Sequence, residues 1–405
     1  MLLPRGFKSN LPGKTCLKLL RSLYGQRSSP LLWAETLFKA HRKLGLKQSE
    51  NDKCLWFGDG LVVIVYCDDC GIGARTKEIA DKFIEGMKQL GFKLTTESTF
   101  SEYLGIKIDR NDKEGTITMT QPGLIKKILE TTEMQECAPQ WTPAKREALG
   151  KDPDGEPMKE KWTAPQVNGM LLYLATNTRI DIAAAVSATC RFNHHTKQSH
   201  AIAIKRIVRY LKATHDKGIT FRLMEFLGVD HYVDSEFGGL YKLDPDSESS
   251  SAKSRMGFIT FLGPCPLLWK SKLDQTISLS TAEAEYSALS YSIRELIPVR
   301  RTIIEMVNNL GVPQPLKATL CCTIHEDNDA ARILATEQHL SSRTKYYHLK
   351  KHHFWSWLNE HKKEVCKECP VSLVRVDTKE QRADYLTKSL PREEFERNRK
   401  LVQGW

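Results

Sequence analysis

Four carboxylates in the later part of the 405-residue chain constrain it most, because each stands at the edge of a different local pattern. Asp234 closes the apolar strand pattern Asp230-His231-Tyr232-Val233-Asp234. Glu285 lies near the start of a helix in Ser280-Thr281-Ala282-Glu283-Ala284-Glu285-Tyr286. Asp327 follows the strand pattern Thr319-Leu320-Cys321-Cys322-Thr323-Ile324, and Asp384 sits in Arg382-Ala383-Asp384-Tyr385-Leu386-Thr387-Lys388. Acids at strand ends and helix starts can converge on one sheet edge and hold two divalent ions about 4 Å apart, a donor set suited to phosphodiester cleavage. Oxygen-only ligation, without clustered His or Cys, favours Mg2+ or Mn2+ over zinc.

Each acid also has an ordinary local role to weigh. Ser280-Thr281-Ala282-Glu283 has the spacing of a capping box, so Glu283 has a structural task at the helix start. Glu285, two residues on and beside the small Ala284 and Ala288, is left free; alone it reads as a surface acid. Asp327 can serve as the N-cap of a helix from Ala330 to Leu334, and Asp384 as a cap of its own helix. The combination of four such acids in one alternating α/β segment outweighs these local roles. His348, His352 and His353, in the basic stretch from Arg343, read as helix-face residues.

The chain carries 60 Lys and Arg against 49 Asp and Glu, a formal charge of +11, which suits a polyanionic partner such as nucleic acid. With 40% hydrophobic residues it can bury real cores over two or three domains. Arg5, Lys8, Lys14 and Lys18 have no apolar core between them, so no signal peptide is visible, and no apolar run reaches the roughly 20 residues of a membrane span. The two CxxC pairs, Cys67/Cys70 and Cys366/Cys369, lack further cysteine pairs at zinc-site spacing; the 11 cysteines read as free thiols of a reducing compartment.

Along the chain, Leu61-Val62-Val63-Ile64-Val65-Tyr66 reads as a buried strand, with Asp68-Asp69 at a turn and Gly71-Ile72-Gly73-Ala74 as the return strand. Ile79, Phe83 and Met87 mark a helix ending at Gly91. Tyr103 to Ile108 and Thr116 to Met119 read as two strands joined by a polar turn. Residues 139–165, with five prolines, read as a linker, and 166–214 as helical. In the last helix Ile204, Ile207, Val208 and Leu211 form one face, and Lys205, Arg206, Arg209 and Lys212 the other, which is either solvated or set against a nucleic-acid backbone. From about 219 the pattern is strands first, then alternating helix and strand, as in an α/β sheet with helices on its faces.

These residues resemble a known family. The segments around Glu285, Glu326-Asp327-Asn328, Arg343-Thr344-Lys345 and Ala383-Asp384-Tyr385-Leu386-Thr387-Lys388 resemble the ribonuclease H end of copia-type LTR retrotransposon Pol polyproteins. Ser22-Leu23-Tyr24-Gly25 with Pro30 and Trp33, Tyr66-Cys67-Asp68-Asp69, and Tyr103-Leu104-Gly105-Ile106 resemble that family's reverse-transcriptase palm and thumb. Thr178-Arg179-Ile180-Asp181-Ile182 and Lys205-Arg206-Ile207-Val208-Arg209-Tyr210-Leu211-Lys212 resemble its connecting region. The resemblance implies an α/β and α+β architecture: a reverse-transcriptase palm and thumb piece over 1–135, a linker and helical connection over 136–218, and a ribonuclease H-like domain, a mixed sheet flanked by helices, over 219–405.

It further implies Asp234, Glu285, Asp327 and Asp384 as ligands of two Mg2+ or Mn2+ ions in RNA hydrolysis, and Asp68 and Asp69 as palm carboxylates that bind metal in polymerisation. The implied partners are RNA–DNA hybrids, primer-templates and other Pol and Gag parts such as integrase, with no membrane, in cytoplasmic virus-like particles and the nucleus. Tyr346 and Glu380 depart from the family's usual residues near the last two acids. The chain opens at the Met1-Leu2-Leu3-Pro4-Arg5-Gly6-Phe7 stretch, after the palm strand that carries the family's first polymerase Asp, so the expectation is a fragment without polymerase activity of its own. The alternatives are a catalytically inactive nucleic-acid-binding remnant, or a fragment that does not fold.

Overall fold

The computed structural model describes residues 19–97, 99–222, 228–241, 252–311, 322–336, 357–358 and 371–405. The Met1–Phe7 stretch, Arg343–Tyr346, the three histidines at 348, 352 and 353, and Cys366 and Cys369 lie outside them. The chain divides by packing into two units, one up to residue 97 with 305–311, the other from Thr99–Ile304 with the described residues beyond 311. Among the described residues no helix is long and apolar enough to cross a membrane.

The first unit is a mixed α/β layer. A four-stranded antiparallel meander, β1 (Lys47–Gln48), β2 (Leu55–Gly58), β3 (Leu61–Tyr66) and β4 (Asp69–Ala74), packs helices α1 (Ser29–Lys43) and α2 (Lys77–Gln89) on one face. β3 alternates strictly, burying Leu61, Val63 and Val65 and exposing Ile64 and Tyr66, so one face of the sheet is the core and the other is open. The turn between β3 and β4 is shorter than its sequence suggests: Asp69 already pairs with Tyr66, leaving Cys67-Asp68 as a two-residue loop. Cys67 takes φ 54°, and its carbonyl accepts the Trp33 indole N–H at 2.8 Å.

His41 on α1 is a polar group misplaced in this core. It is fully buried, both ring nitrogens lack a hydrogen-bond partner, and it sits edge-on to Trp56 with centroids 5.0 Å apart. Burial lowers its pKa to about 4. The folded unit thus refuses a proton that the unfolded chain takes up below pH 6.5, and stability falls as pH drops through that window. His41→Leu is expected to remove this loss, on the order of 3 kcal/mol between neutral pH and pH 4. Urea unfolding of parent and variant at pH 7.5 and pH 5 measures it; parallel pH dependence in the two would refute it.

The second unit holds the larger core. β5 (Glu102–Tyr103), β6 (Ile106–Asn111), β7 (Thr116–Thr120) and β8 (Ile219–Arg222) form an antiparallel sheet. The single strand expected over Tyr103 to Ile108 is a hairpin instead, because Leu104 (φ 52°) and Gly105 (φ 72°) both take left-handed conformations and turn the chain. Helices α3 (Pro122–Thr131), α4 (Ala164–Asn177), α5 (Ala183–Cys190) and α6 (Gln198–Ala213) pack their apolar faces together, with Ile204, Ile207, Val208 and Leu211 of α6 buried.

The proline-rich segment before α4 forms no helix or strand, but it is a fitted strap. Trp162 is buried in the helical core, Arg209 donates to Ala138 O at 2.6 Å, Arg206 to the Thr142 hydroxyl at 2.7 Å, and Lys197 to Gly155 O at 2.9 Å. Part of the basic face of α6 is therefore spent holding this strap.

A five-stranded mixed sheet completes the unit: β9 (Val229–Glu236), β10 (Arg255–Leu262), β11 (Cys265–Leu273), β12 (Cys322–Glu326) and β13 (Val371–Arg375), in the order β11-β10-β9-β12-β13. β9, β10 and β11 are antiparallel, whereas β12 runs parallel to both β9 and β13. Helices α7 (Thr281–Asn309), α8 (Asp329–Thr336), α9 (Asp384–Thr387) and α10 (Arg392–Gln403) accompany it. The parallel pairing of β9 with β12 sets the C-terminal ends of two strands side by side, so side chains at those ends can meet.

Candidate metal centre

Asp234 stands near the end of β9, and the β12 register, with His325 opposite Tyr232, carries Asp327 to the same end of the sheet. Glu285 approaches from the first turn of α7. Its local setting follows the capping logic: Ser280 Oγ accepts the Glu283 N–H at 3.2 Å, and the Glu283 carboxylate reaches back to the Leu279 N–H at 2.7 Å. Glu283 is thereby occupied, and Glu285 turns inward, 7% exposed, between the buried Ala284 and Ala288. One carboxylate oxygen from each of Asp234, Glu285 and Asp327 falls within 4.8 Å of the others.

Asp384, the first residue of α9, is outside that trio of oxygens but tied to it. The Thr387 hydroxyl donates to the Asp234 carboxylate, and Lys388 Nζ sits 2.8 Å from Asp384 Oδ1. α9 comes this close because Gly257, opposite Asp234 on β10, has no side chain; a Cβ there would meet Thr387 Cγ2 at 2.7 Å and Leu386 Cβ at 2.8 Å. Gln381, fully buried, pins the approach to α9 by donating to Val233 O at 2.8 Å, whereas the neighbouring Glu380 is exposed.

Two local assignments change. Asp327 does not cap the helix after it: α8 begins at Asp329, and the Asn328 side chain accepts the Ala331 N–H at 3.0 Å. Asp384 does not cap α9 either, since Ala383 holds the N-cap position and Asp384 is the first helical residue. Neither acid is consumed by the backbone of its own helix.

The electrostatics are those of anions crowded out of water. Burial, and then the charge of Asp384, push the Asp234 pKa up to about 7, against the pull of Lys388 and the Thr387 hydroxyl. Burial followed by Asp234 and Glu326 raises Glu285 well above the usual carboxylate range. Asp384 is raised chiefly by burial, and Lys388 is held in its charged form by the surrounding acids against burial. Glu285 Oε2 is buried without any hydrogen-bond donor. An oxygen-only donor set of this kind fits divalent Mg2+ or Mn2+.

A fifth acid belongs here that the sequence did not single out. Glu326, the last residue of β12, is completely buried; Oε1 accepts the Asn328 N–H at 3.1 Å while Oε2 has no partner. Burial, then repulsion from Asp327 and Asp234, raises its pKa well above the normal value. Its place next to Asp327 at a strand end was the available signal. Glu326→Gln keeps an acceptor for Asn328 and removes the charge. It is expected to stabilise the metal-free protein at pH 8 by on the order of 1–3 kcal/mol, read as a higher melting temperature in EDTA. A lower melting temperature would contradict this placement of its charge.

Asp68 and Asp69 lie in the first unit, at the exposed β3–β4 hairpin tip. Among the described residues, the group of three potential ligands at Asp234, Glu285 and Asp327 does not include them.

Residues 1–146 match the family model for reverse transcriptase (RNA-dependent DNA polymerase). Over 410 residues the chain is 27% identical to the retrovirus-related Pol polyprotein from transposon TNT 1-94 of Nicotiana tabacum, covering 98% of this chain and 29% of that protein. It is 27% identical over 398 residues to the Pol polyprotein from transposon RE1 of Arabidopsis thaliana, covering 97% of this chain and 25% of the relative. A transposon Ty5-1 protein of Saccharomyces cerevisiae is 26% identical over 298 residues, 72% of this chain and 94% of that protein. The chain thus spans under a third of the two plant polyproteins it matches over nearly its whole length.

Proposed function

Since the chain belongs to the Pol polyproteins of copia-type retrotransposons, we propose that residues 219–405 form a ribonuclease H-like domain that hydrolyses the RNA strand of RNA–DNA hybrids. Residues 1–135 are its reverse-transcriptase palm and thumb part, with Asp68 and Asp69 as palm carboxylates, and 136–218 the connection. The observation that carries the hydrolase reading is the convergence of Asp234, Glu285 and Asp327 within 4.8 Å at the end of a mixed sheet, with the helix that begins at Asp384 held to Asp234 by the Thr387 hydroxyl.

These carboxylates would hold divalent ions, and the chemistry such ions would supply is activation of a water and neutralisation of charge on the leaving oxygen. The chain's own residues do the rest. Asp234, oriented by the Thr387 hydroxyl, would be one of the ligands. Glu285, anchored on the long helix α7, and Asp327, just past the end of β12, would be the other two ligands of the group. Lys388 balances part of the negative charge beside Asp384. Recognition of the hybrid rests on its backbone shape and the 2′-hydroxyls of one strand rather than on base sequence.

A hybrid labelled on either strand tests the reading. With Mg2+, the RNA strand is expected to be cut at many positions and the DNA strand left intact. Cutting of both strands, or of duplex DNA at a comparable rate, would contradict it.

A further inference from the structure

Beside the acidic cluster, within the second unit, lies a cavity of about 650 Å3. Its wall includes Thr387 and Lys388, the same two residues that touch Asp234 and Asp384, so the cavity adjoins the cluster. Much of the remaining polar lining is cationic. Lys205 is paired with Glu160 at 2.6 Å, but Arg206 and Arg209 on α6, and the exposed Lys145 and Arg146 on the strap, have no carboxylate within ion-pair distance among the described residues. The opposing acids in the lining are Glu147 and Glu236.

Arg255, the first residue of β10, makes this a built site rather than a solvated basic face. It is only 7% exposed, and its hydrogen bonds run to hydroxyls: Ser187 Oγ at 2.8 Å and Ser271 Oγ at 3.3 Å. No carboxylate lies within ion-pair distance of it among the described residues. Burial and then the charge of Arg191 lower its pKa to about 10, with Glu236 giving partial relief. Glu236, opposite it on β9, is near but makes no ion pair with it, so this buried guanidinium keeps donors for an anion in the cavity, and guanidinium geometry matches phosphate oxygens.

We propose that this cavity holds the phosphates of the nucleic-acid strand that continues away from the acidic cluster, with Arg255 as its innermost phosphate contact. The inference rests on the hybrid-cleaving function proposed for the acidic cluster. A single free phosphate is the weaker fit, because Arg206 and Arg209 stand about one helical turn apart on α6 and extend the cationic row beyond one anion. Contacts of this kind position a backbone and leave its sequence unread.

Binding of a fluorescent hybrid, followed by anisotropy over a salt series in EDTA so that cleavage is off, tests the site. Arg255→Gln is expected to weaken binding about 5- to 10-fold and to lower the slope of log K against log salt by about one; Lys145→Glu with Arg146→Glu is expected to lower it by about two. The double variant changes exposed residues, so it carries the test if Arg255→Gln melts early. Parental affinity and slope in folded variants would overturn the proposal. Inorganic phosphate at constant ionic strength separates the two anion sources. Saturable binding of phosphate alone that is lost in Arg255→Gln, with no effect of that variant on the hybrid, makes the site one for a free anion and the assignment falls; an Arg255 effect on hybrid binding upholds it. Cleavage by the parent in Mg2+ is scored separately: cleavage without any slope change removes only this cavity, whereas a slope change without cleavage removes only the hydrolase.

Discussion

Asp234→Asn is expected to lower RNA cleavage by on the order of 1,000-fold or more while hybrid binding in EDTA stays near parental and the metal-free protein becomes more stable. The rate loss follows from removing one of the carboxylates that would hold the metal, roughly 4 kcal/mol of transition-state stabilisation. The gain in stability follows from the sign of the pKa shift. Asp234 is raised from 3.8 to about 7 by burial and by Asp384. A carboxylate with a raised folded-state pKa gives its full stabilisation below the unfolded value, and loses it as pH rises through the folded value. Above pH 7 the parent therefore carries a buried, repelled charge that costs up to roughly 4 kcal/mol without metal. The amide removes that charge. Thermal unfolding in EDTA at pH 8, beside a cleavage assay in Mg2+, reads both effects. A variant that loses activity and stability together would mean that Asp234 is chiefly structural.

Arg179→Met is expected to destabilise the second unit by about 3–5 kcal/mol, the largest stability effect foreseen for a residue outside the acidic cluster. Arg179 and Asp181 are both completely buried and paired in fork geometry, at 3.0 Å and 2.8 Å. Arg179 also donates to Thr214 O at 2.8 Å and lies over the rings of Tyr210 and Trp405. Asp181 accepts the Tyr210 hydroxyl at 2.6 Å, and its own N–H donates to Gln403 at 3.1 Å. Burial opposes both charges, yet each outweighs that cost for its partner, keeping Arg179 firmly protonated and Asp181 below the usual carboxylate range. Removing the guanidinium leaves Asp181 as an uncompensated buried charge between α6 and α10. Urea unfolding measures the loss; a change below about 1 kcal/mol would show that the network adds little beyond packing.

Much of the local structure was legible because it rests on short-range chemistry. The continuous apolar run Leu61 to Tyr66 marked a strand, though not that one of its faces is open, and the serine–glutamate spacing at 280–283 explained why Glu283 is engaged and Glu285 is not. What stayed hidden is non-local or conformational. Nothing within either segment announces that β9 and β12 pair in parallel across the intervening strands and helix, and that pairing brings Asp327 to Asp234. Leu104 in a left-handed conformation broke a strand that composition favoured. The proline-rich stretch reads as a linker because its anchors, Arg206, Arg209 and Lys197, lie far along the chain. Glu326 was missed because burial of an acid has no signature in local pattern.

The most direct measurement is cleavage of a labelled RNA–DNA hybrid by the folded chain, with Mg2+ and again after chelation with EDTA. RNA fragments that form only with Mg2+, and disappear in the Asp234→Asn chain, are the predicted result. A folded chain that binds the hybrid in both conditions and never cuts it would contradict a working metal centre and leave the acids as a relic in a nucleic-acid-binding protein.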